Sequence, residues 1–237
     1  ERLNKKSFLK KNNVEMIKIV IERAKKIKNI DHVILATSTD KIDDSFKKIA
    51  KDTGIDFFRG HSDNVANRFY KCAKKYKLDN IVRITGDSIL VDYEMINMAL
   101  KEHLKNNNDV TFSKNMPFGT AKEVFTLETI EALAKNIDLP KNSEYLEFYL
   151  QNKRYFNVGY VRSKYIFNRK IRLTLDYKED YLLLKKIFLH FPIKERNTIT
   201  IPQVLKFIKN NKRLIKINSF RIQKNPFNQN LNLNINF

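Results

Sequence analysis

One cysteine and four histidines are all the soft metal-binding chemistry in 237 residues. Cys72 alone excludes an internal disulfide and a cysteine-built zinc site. The scattered histidines argue against a histidine-rich metal centre. No window of about 18 uncharged apolar residues occurs, so no membrane-spanning helix is expected. No signal-peptide pattern is visible, and a cytosolic (cytoplasmic) protein is the default expectation. No RNP-like, zinc-finger or KH-like signature appears. That absence bears on the charge. With 46 basic and 26 acidic residues the formal net charge is +20, which by itself suggests nucleic acid. The lysines, however, are spread along the whole chain rather than gathered in one stripe. No nucleic-acid partner is expected. The excess charge suits attraction of a polyanionic small molecule such as a nucleotide.

The composition is 42% hydrophobic, enough for one sizeable core. A single domain over residues 1–218 is expected, with an excursion at 115–160 and an Asn-rich tail at 219–237. Residues 14–28 place Val14, Ile17, Ile21 and Ala24 on one helical face. "HVILATSTD" (32–40) is a short apolar run that ends in hydroxyls and reads as a parallel strand. "DDSFKKIAKDTG" reads as a helix stopped by Gly54, and "IDFFRG" as a second strand. "DNVANRFYKCAKKYK" (63–77) is a helix with Asp63 as N-cap and with Val65, Phe69, Cys72 and Ala73 inside. "NIVRITGD", "YEMINMALKEHLKNNN" and "DVTFSKN" continue as strand, helix and strand. This alternation predicts an open α/β fold, a mostly parallel sheet flanked by helices. Beyond residue 115 a short strand, two helices, the strand "YFNVGYV", a further strand "IRLTLD" and two more helices are expected.

Ligands in such folds bind outside the carboxyl ends of the strands. Ser38, Asp40, Arg59, Gly60 and Asp87 fall at such ends. Asp87, in "VRITGDSILVD" (82–92), and Asp176, in "IRLTLD", each follow an apolar run and precede a helix. Each acid alone reads as a turn-former or helix cap. As a pair on one rim, two carboxylates suit magnesium, which takes few protein ligands and completes its shell with water and phosphate. Arg59 at a strand tip can hold phosphate or lie on the surface. Arg68 and Lys71 read as a solvated helix face unless that helix points at the pocket, His32 as structural and Cys72 as core.

At these residues the chain resembles the CMP-sugar cytidylyltransferase superfamily, which includes the KDO and acylneuraminate cytidylyltransferases. It looks most like the branch called spore coat polysaccharide biosynthesis protein F. "ERLNKKSFL" is similar to the family loop S-x-R-L-P-x-K-x-L. "VILATSTDKIDD" is similar to V-x-A-T-S, and "FFRGHSDNVANRFYKCAKKY" to F-R-G-x-x-x-D-V-L-x-R-Y-x-x-A. "VRITGDSILVD" is similar to V-R-I-T-G-D-C-P-L-I-D, and "FGTAKEVF" resembles D-G-L-D-V-E-V-F. "SEYLEFYL" resembles R-E-H-V-T-x-Y, and "IRLTLDYKEDYLLLKKI" resembles L-R-L-T-V-D-T-x-E-D. Seven matches run collinearly along nearly the whole chain.

The resemblance implies a Rossmann-like GT-A nucleotidyltransferase that transfers CMP from CTP to an acidic sugar, for surface polysaccharide or glycan. It implies Mg2+ as cofactor, held by Asp87 and Asp176, and CTP and a small acidic sugar as partners. Arg2 and Lys6 match the loop positions that hold the β and γ phosphates. Ser38, Arg59 and Asp87 fall on the nucleotide side. Arg59 and Asp63 match R-G-x-x-x-D, near nucleotide and sugar. Glu123 and Glu144 match positions where the family receives its acceptor. By analogy residues 115–160 form a homodimer contact. The family loop begins upstream with a further arginine and serine after a first strand. The sheet is therefore expected to lack a central strand and the CTP site one wall, and this chain alone to have poor stability and little activity. Asn4 replaces the loop proline, Ser88 and Ile89 replace C-P, and "EYLEFY" lacks the family's histidine and threonine. A nucleotide-sugar glycosyltransferase of the same fold is the alternative. It normally carries D-x-D, a motif that the sequence lacks.

Overall fold

A computed structural model of the chain describes residues 13–136 and 146–221. Among these, helix α1 (Asn13–Ala24) comes first. The strand β1 (Ile34–Ser38), helix α2 (Ser45–Thr53) and strand β2 (Asp56–Gly60) follow. Next come α3 (Val65–Tyr76), β3 (Asn80–Arg83), α4 (Tyr93–Lys105) and β4 (Val110–Lys114). The second half contains β5 (Glu123–Thr126), α5 (Leu127–Asn136), α6 (Leu146–Leu150) and β6 (Val158–Arg162). Helices α7 (Lys178–His190) and α8 (Ile201–Asn210) close the described chain.

The ends of these elements are set by local chemistry. Gly54 stops α2 in the left-handed region at φ 62°, returning its amide to Ala50 and Lys51. Asp92 caps α4, accepting the amides of Glu94 and Met95 at 3.2 Å each. Thr200 and Gln203 exchange cap bonds at the start of α8. Helix α3 corrects one expectation. Its cap is Asn64, whose Oδ1 accepts the Asn67 amide at 2.9 Å. Asp63 lies one residue outside, with its own amide on His61 Nδ1 at 3.1 Å. Asn64 also completes the R-G-x-x-x-D spacing from Arg59, so Asp63 does not occupy that position.

The strands form two sheets. β1 and β2 pair in parallel, Ile34 opposite Asp56 through Ser38 opposite Gly60. The second sheet has the order β3-β5-β4-β6. β4 and β6 are parallel, while β5 runs antiparallel between β3 and β4. The α/β fold with sheets flanked by helices thus stands, with β5 as the antiparallel exception. The edges of β1 and β3 are not paired with each other. A cavity of about 650 Å³ lies between them, lined by Ile21, Leu35, Phe69, Cys72, Ile81 and Ile84 among others.

Residues 171–176 differ from the expected strand. Only one bridge forms, Phe118 with Arg172. The amides are taken one by one by separate loops: Leu173 N donates to Phe118 O at 2.7 Å and Leu175 N to Asp87 O at 3.0 Å. No single strand edge accepts them, so no ladder forms. The alternation survives in burial, because Ile171, Leu173 and Leu175 join the core with Leu183, Leu184, Ile187 and Val204 of α7 and α8. Gly119 allows the close approach. It sits at φ +93°, and a Cβ there would lie 2.5 Å from the Thr174 amide nitrogen.

Candidate active site

Where β3 ends, the chain turns through Thr85, Gly86 and Asp87, closed by Ser88 N on Thr85 O at 3.0 Å. Thr85 Oγ1 donates to Asp87 Oδ1. Ser88 Oγ lies 2.9 Å from Thr85 Oγ1 and 3.4 Å from Asp87 Oδ1. A turn and a positioned carboxylate therefore coexist at this tip. Its Asp87 carbonyl accepts Leu175 N, which brings the segment ending in Asp176 beside it.

Asp176 contacts Arg172 Nη2 and Thr174 Oγ1 at 3.5 Å each. The stronger anchoring belongs to Asp180, which is 0% exposed. Its Oδ2 accepts the amides of Asp176 and Tyr177 at 3.0 Å, and its Oδ1 accepts Asn218 Nδ2 at 2.8 Å. Arg172 reaches the same carboxylate at 3.3 Å. Asp180 thus fixes the backbone of Asp176. Among the described residues no three His, Cys, Asp or Glu side chains converge. The available donors are hard carboxylate oxygens from two segments, a set that fits magnesium in kind.

On the other side of the tip lies a charged cluster. Arg83 and Glu123 are directly opposite on β3 and β5 and form a buried ion pair at 2.5 Å. Glu123 is 4% exposed, with its carboxylate committed to Arg83. Lys122 Nζ donates to Thr85 Oγ1 at 3.1 Å. Burial pushes the Lys122 ammonium below the usual lysine range, against the pull of Glu123 and Asp87. Burial, then the Glu123 charge, raises the Glu147 carboxyl above the usual range. Lys122 and Glu147 were not among the expected site residues. Both lie inside the quoted motifs "FGTAKEVF" and "SEYLEFYL", but only the fold brings them together.

The end of β1 forms a third unit. Asp43 Oδ2 accepts the hydroxyls of Thr37 and Ser38, at 2.7 and 2.6 Å, and the Ser38 amide at 3.1 Å. Burial alone would raise this carboxyl; the Ser38 and Thr37 bonds outweigh it and hold it below the usual range. Arg59 braces the same turn, with Nε on Ser38 O, Nη2 on Asp40 O, both at 3.0 Å, and Nη1 on Asp44 at 2.7 Å. Arg68 corrects another expectation. It is half-buried rather than wholly solvated: burial lowers its guanidinium, and Nη1 donates to the His61 carbonyl at 2.8 Å. It feels both Asp43 and Arg83, so it lies electrostatically between the two units. His32 pairs with Asp56 at 2.8 Å, and Cys72 is buried. Arg2, Lys6 and Glu144 lie outside the described residues.

This chain is similar to an uncharacterized protein of Methanocaldococcus jannaschii, at 34% identity over 94% of the chain and 92% of that protein. It is similar to the spore coat polysaccharide biosynthesis protein SpsF of Bacillus subtilis, at 29% identity over 68% of each. Among solved structures, a cytidylyltransferase from Leptospira borgpetersenii superposes with a TM-score of 0.78 at 27% identity, over 89% of this chain and 88% of that one. The family model described as Cytidylyltransferase matches residues 1–215, and the chain belongs to that family.

Proposed function

We propose that the protein transfers CMP from CTP to an acidic sugar, for surface polysaccharide or glycan biosynthesis. The observation that carries this reading is the backbone bond from Leu175 to Asp87, which sets two acid-bearing segments side by side at the end of β3. An oxygen of the sugar hydroxyl attacks the α-phosphorus of CTP. The bond from that phosphorus to the bridging oxygen breaks, the hydroxyl proton departs, and CMP-sugar and pyrophosphate leave. Such a transfer needs charge neutralisation and in-line positioning more than a covalent intermediate.

Asp87 and Asp176 would hold magnesium, which would supply charge neutralisation on the triphosphate. Thr85 and Ser88 keep Asp87 in place, and Asp180 keeps Asp176 in place. Arg2 and Lys6 hold the β and γ phosphates. Ser38, in the turn that Asp43 and Arg59 lock, borders the nucleotide. Glu144 serves the sugar side. Glu123 acts there through Arg83, to which its carboxylate is bound.

The test is pyrophosphate release from CTP and magnesium by protein expressed from its complete reading frame, against a panel of sugar acids and neutral sugar phosphates. Release with one acid, absent without acceptor, is expected. Consumption of a preformed nucleotide sugar without pyrophosphate release would replace this reading with glycosyl transfer.

A further inference from the structure

Beside the Thr85–Asp87 tip, one ammonium among the described residues has a single hydrogen-bond acceptor. Arg83 is paired with Glu123 at 2.5 Å. Lys122 differs. Among the described residues its ammonium has one hydrogen-bond acceptor, Thr85 Oγ1 at 3.1 Å. An ammonium carries three N–H donors, so two remain for a ligand or water. The charged groups around it are Asp87 on the tip, Glu123 on β5, Arg83 on β3 and Glu147 on α6. Glu123 is ion-paired with Arg83. Asp87 is held by Thr85, the same hydroxyl that accepts Lys122. A partly buried ammonium whose remaining N–H groups lack a protein acceptor favours a ligand or water that accepts them. In the family pattern quoted above, this position carries valine.

We propose that Lys122 is a specificity-determining residue that receives the carboxylate of the acceptor sugar. The inference rests on the transfer reading and names the acceptor chemistry of the same site. Lysine suits this role as a compact point charge with rotatable donors. Thr85 aims it, and the hydroxyl connects the acceptor's acid group to the Asp87 tip where the nucleotide is handled.

The test compares wild type, Lys122→Met, Lys122→Gln and Lys122→Arg, all expressed from the complete reading frame. The readouts are pyrophosphate release and calorimetric binding of a sugar acid and of its uncharged carboxamide. Wild type is expected to favour the acid over the amide by roughly 10- to 100-fold, the span of one charge-assisted hydrogen bond. Lys122→Met and Lys122→Gln are expected to lose that preference through a raised acceptor KM, while the CTP KM stays within about twofold. Lys122→Arg is expected to keep part of it. An unchanged preference in the Met and Gln variants overturns the proposal. So does a uniform loss of CTP and acceptor binding with a lowered melting temperature in both, which marks a structural lysine. If no acid gives pyrophosphate, the transfer reading falls, and binding then decides for Lys122. Acid binding lost in Lys122→Met supports its anion role; equal binding, or none in wild type, ends it.

Discussion

The amide of Leu175 donates to the carbonyl of Asp87 at 3.0 Å, across 88 residues of sequence. One residue further on is Asp176. Two motifs that look independent along the chain are thereby a single structural unit, and its rigidity has separate supports that can be removed one at a time.

Gly119 is the first of these supports. At φ +93° an L side chain is strained, and its Cβ would stand 2.5 Å from the Thr174 nitrogen and 2.7 Å from its Cα. Gly119→Ala is expected to cost about 2–3 kcal/mol and to lower the melting temperature by roughly 5–10 °C. Activity should fall further than stability, because the displaced backbone leads to Asp176. Thermal melting and turnover at 25 °C check both; an unchanged melting temperature contradicts the packing described.

Glu123 gives the second prediction. Its carboxylate is 4% exposed and ion-paired with Arg83. Removing one member of a buried pair leaves an uncompensated charge, at about 3–5 kcal/mol. Glu123→Ala is expected to destabilise by that order, and Arg83→Met with Glu123→Leu together to recover much of it. A Glu123→Ala variant that melts like wild type, with only acceptor binding impaired, would place this carboxylate on the substrate instead.

The acid limb of stability has an identifiable contributor. His103 is 1% exposed, with Nδ1 3.1 Å from Thr111 Oγ1 and Nε2 3.0 Å from Asn80 Oδ1. Burial lowers its folded-state pKa below the ordinary 6.5. The unfolded chain therefore binds a proton first as pH falls through about 6.5, and stability falls with it until the folded pKa is passed. Above 6.5 this loss is absent. His103→Gln is expected to flatten the decline in urea midpoint as pH falls below about 6.5. A variant with the same slope would remove His103 from the account.

Cys72 should behave as core. Burial pushes its thiol up to about 12. Reaction with a thiol reagent at pH 8 is expected only on unfolding, at a rate that rises with urea. Immediate stoichiometric labelling in buffer would contradict the burial.

Much of this was legible in the sequence because it is local. Gly54 closes α2, and the alternation of elements follows from hydrophobic periodicity. Asp87 and Asp176 stand out because each ends an apolar run. The misreadings share a cause. "IRLTLD" alternates like a strand, but whether it forms one depends on the partner edge, and here Phe118 and Asp87 each accept a single amide. Asp63 and Asn64 are both good caps, and only the backbone turn selects Asn64. The spacing of Arg68 suggests a solvated face because helical spacing does not report that the Gly60–Ser62 segment lies against it. Lys122 was overlooked because its acceptor, Thr85, is 37 residues away, and the Arg83–Glu123 pair is fixed by strand register rather than spacing.

The central claim is that Asp87 and Asp176 act as one pair in nucleotidyl transfer. Its most direct measurement is magnesium-dependent pyrophosphate release from CTP and a sugar acid by wild type, Asp87→Asn, Asp176→Asn and the double variant, with melting curves for each. Each single variant is expected to lose about 100- to 1,000-fold in kcat while melting near wild type. The double variant is expected to lose little more, as groups that act as a unit do. Turnover within tenfold of wild type in either single variant, or losses that multiply in the double, would contradict the paired role.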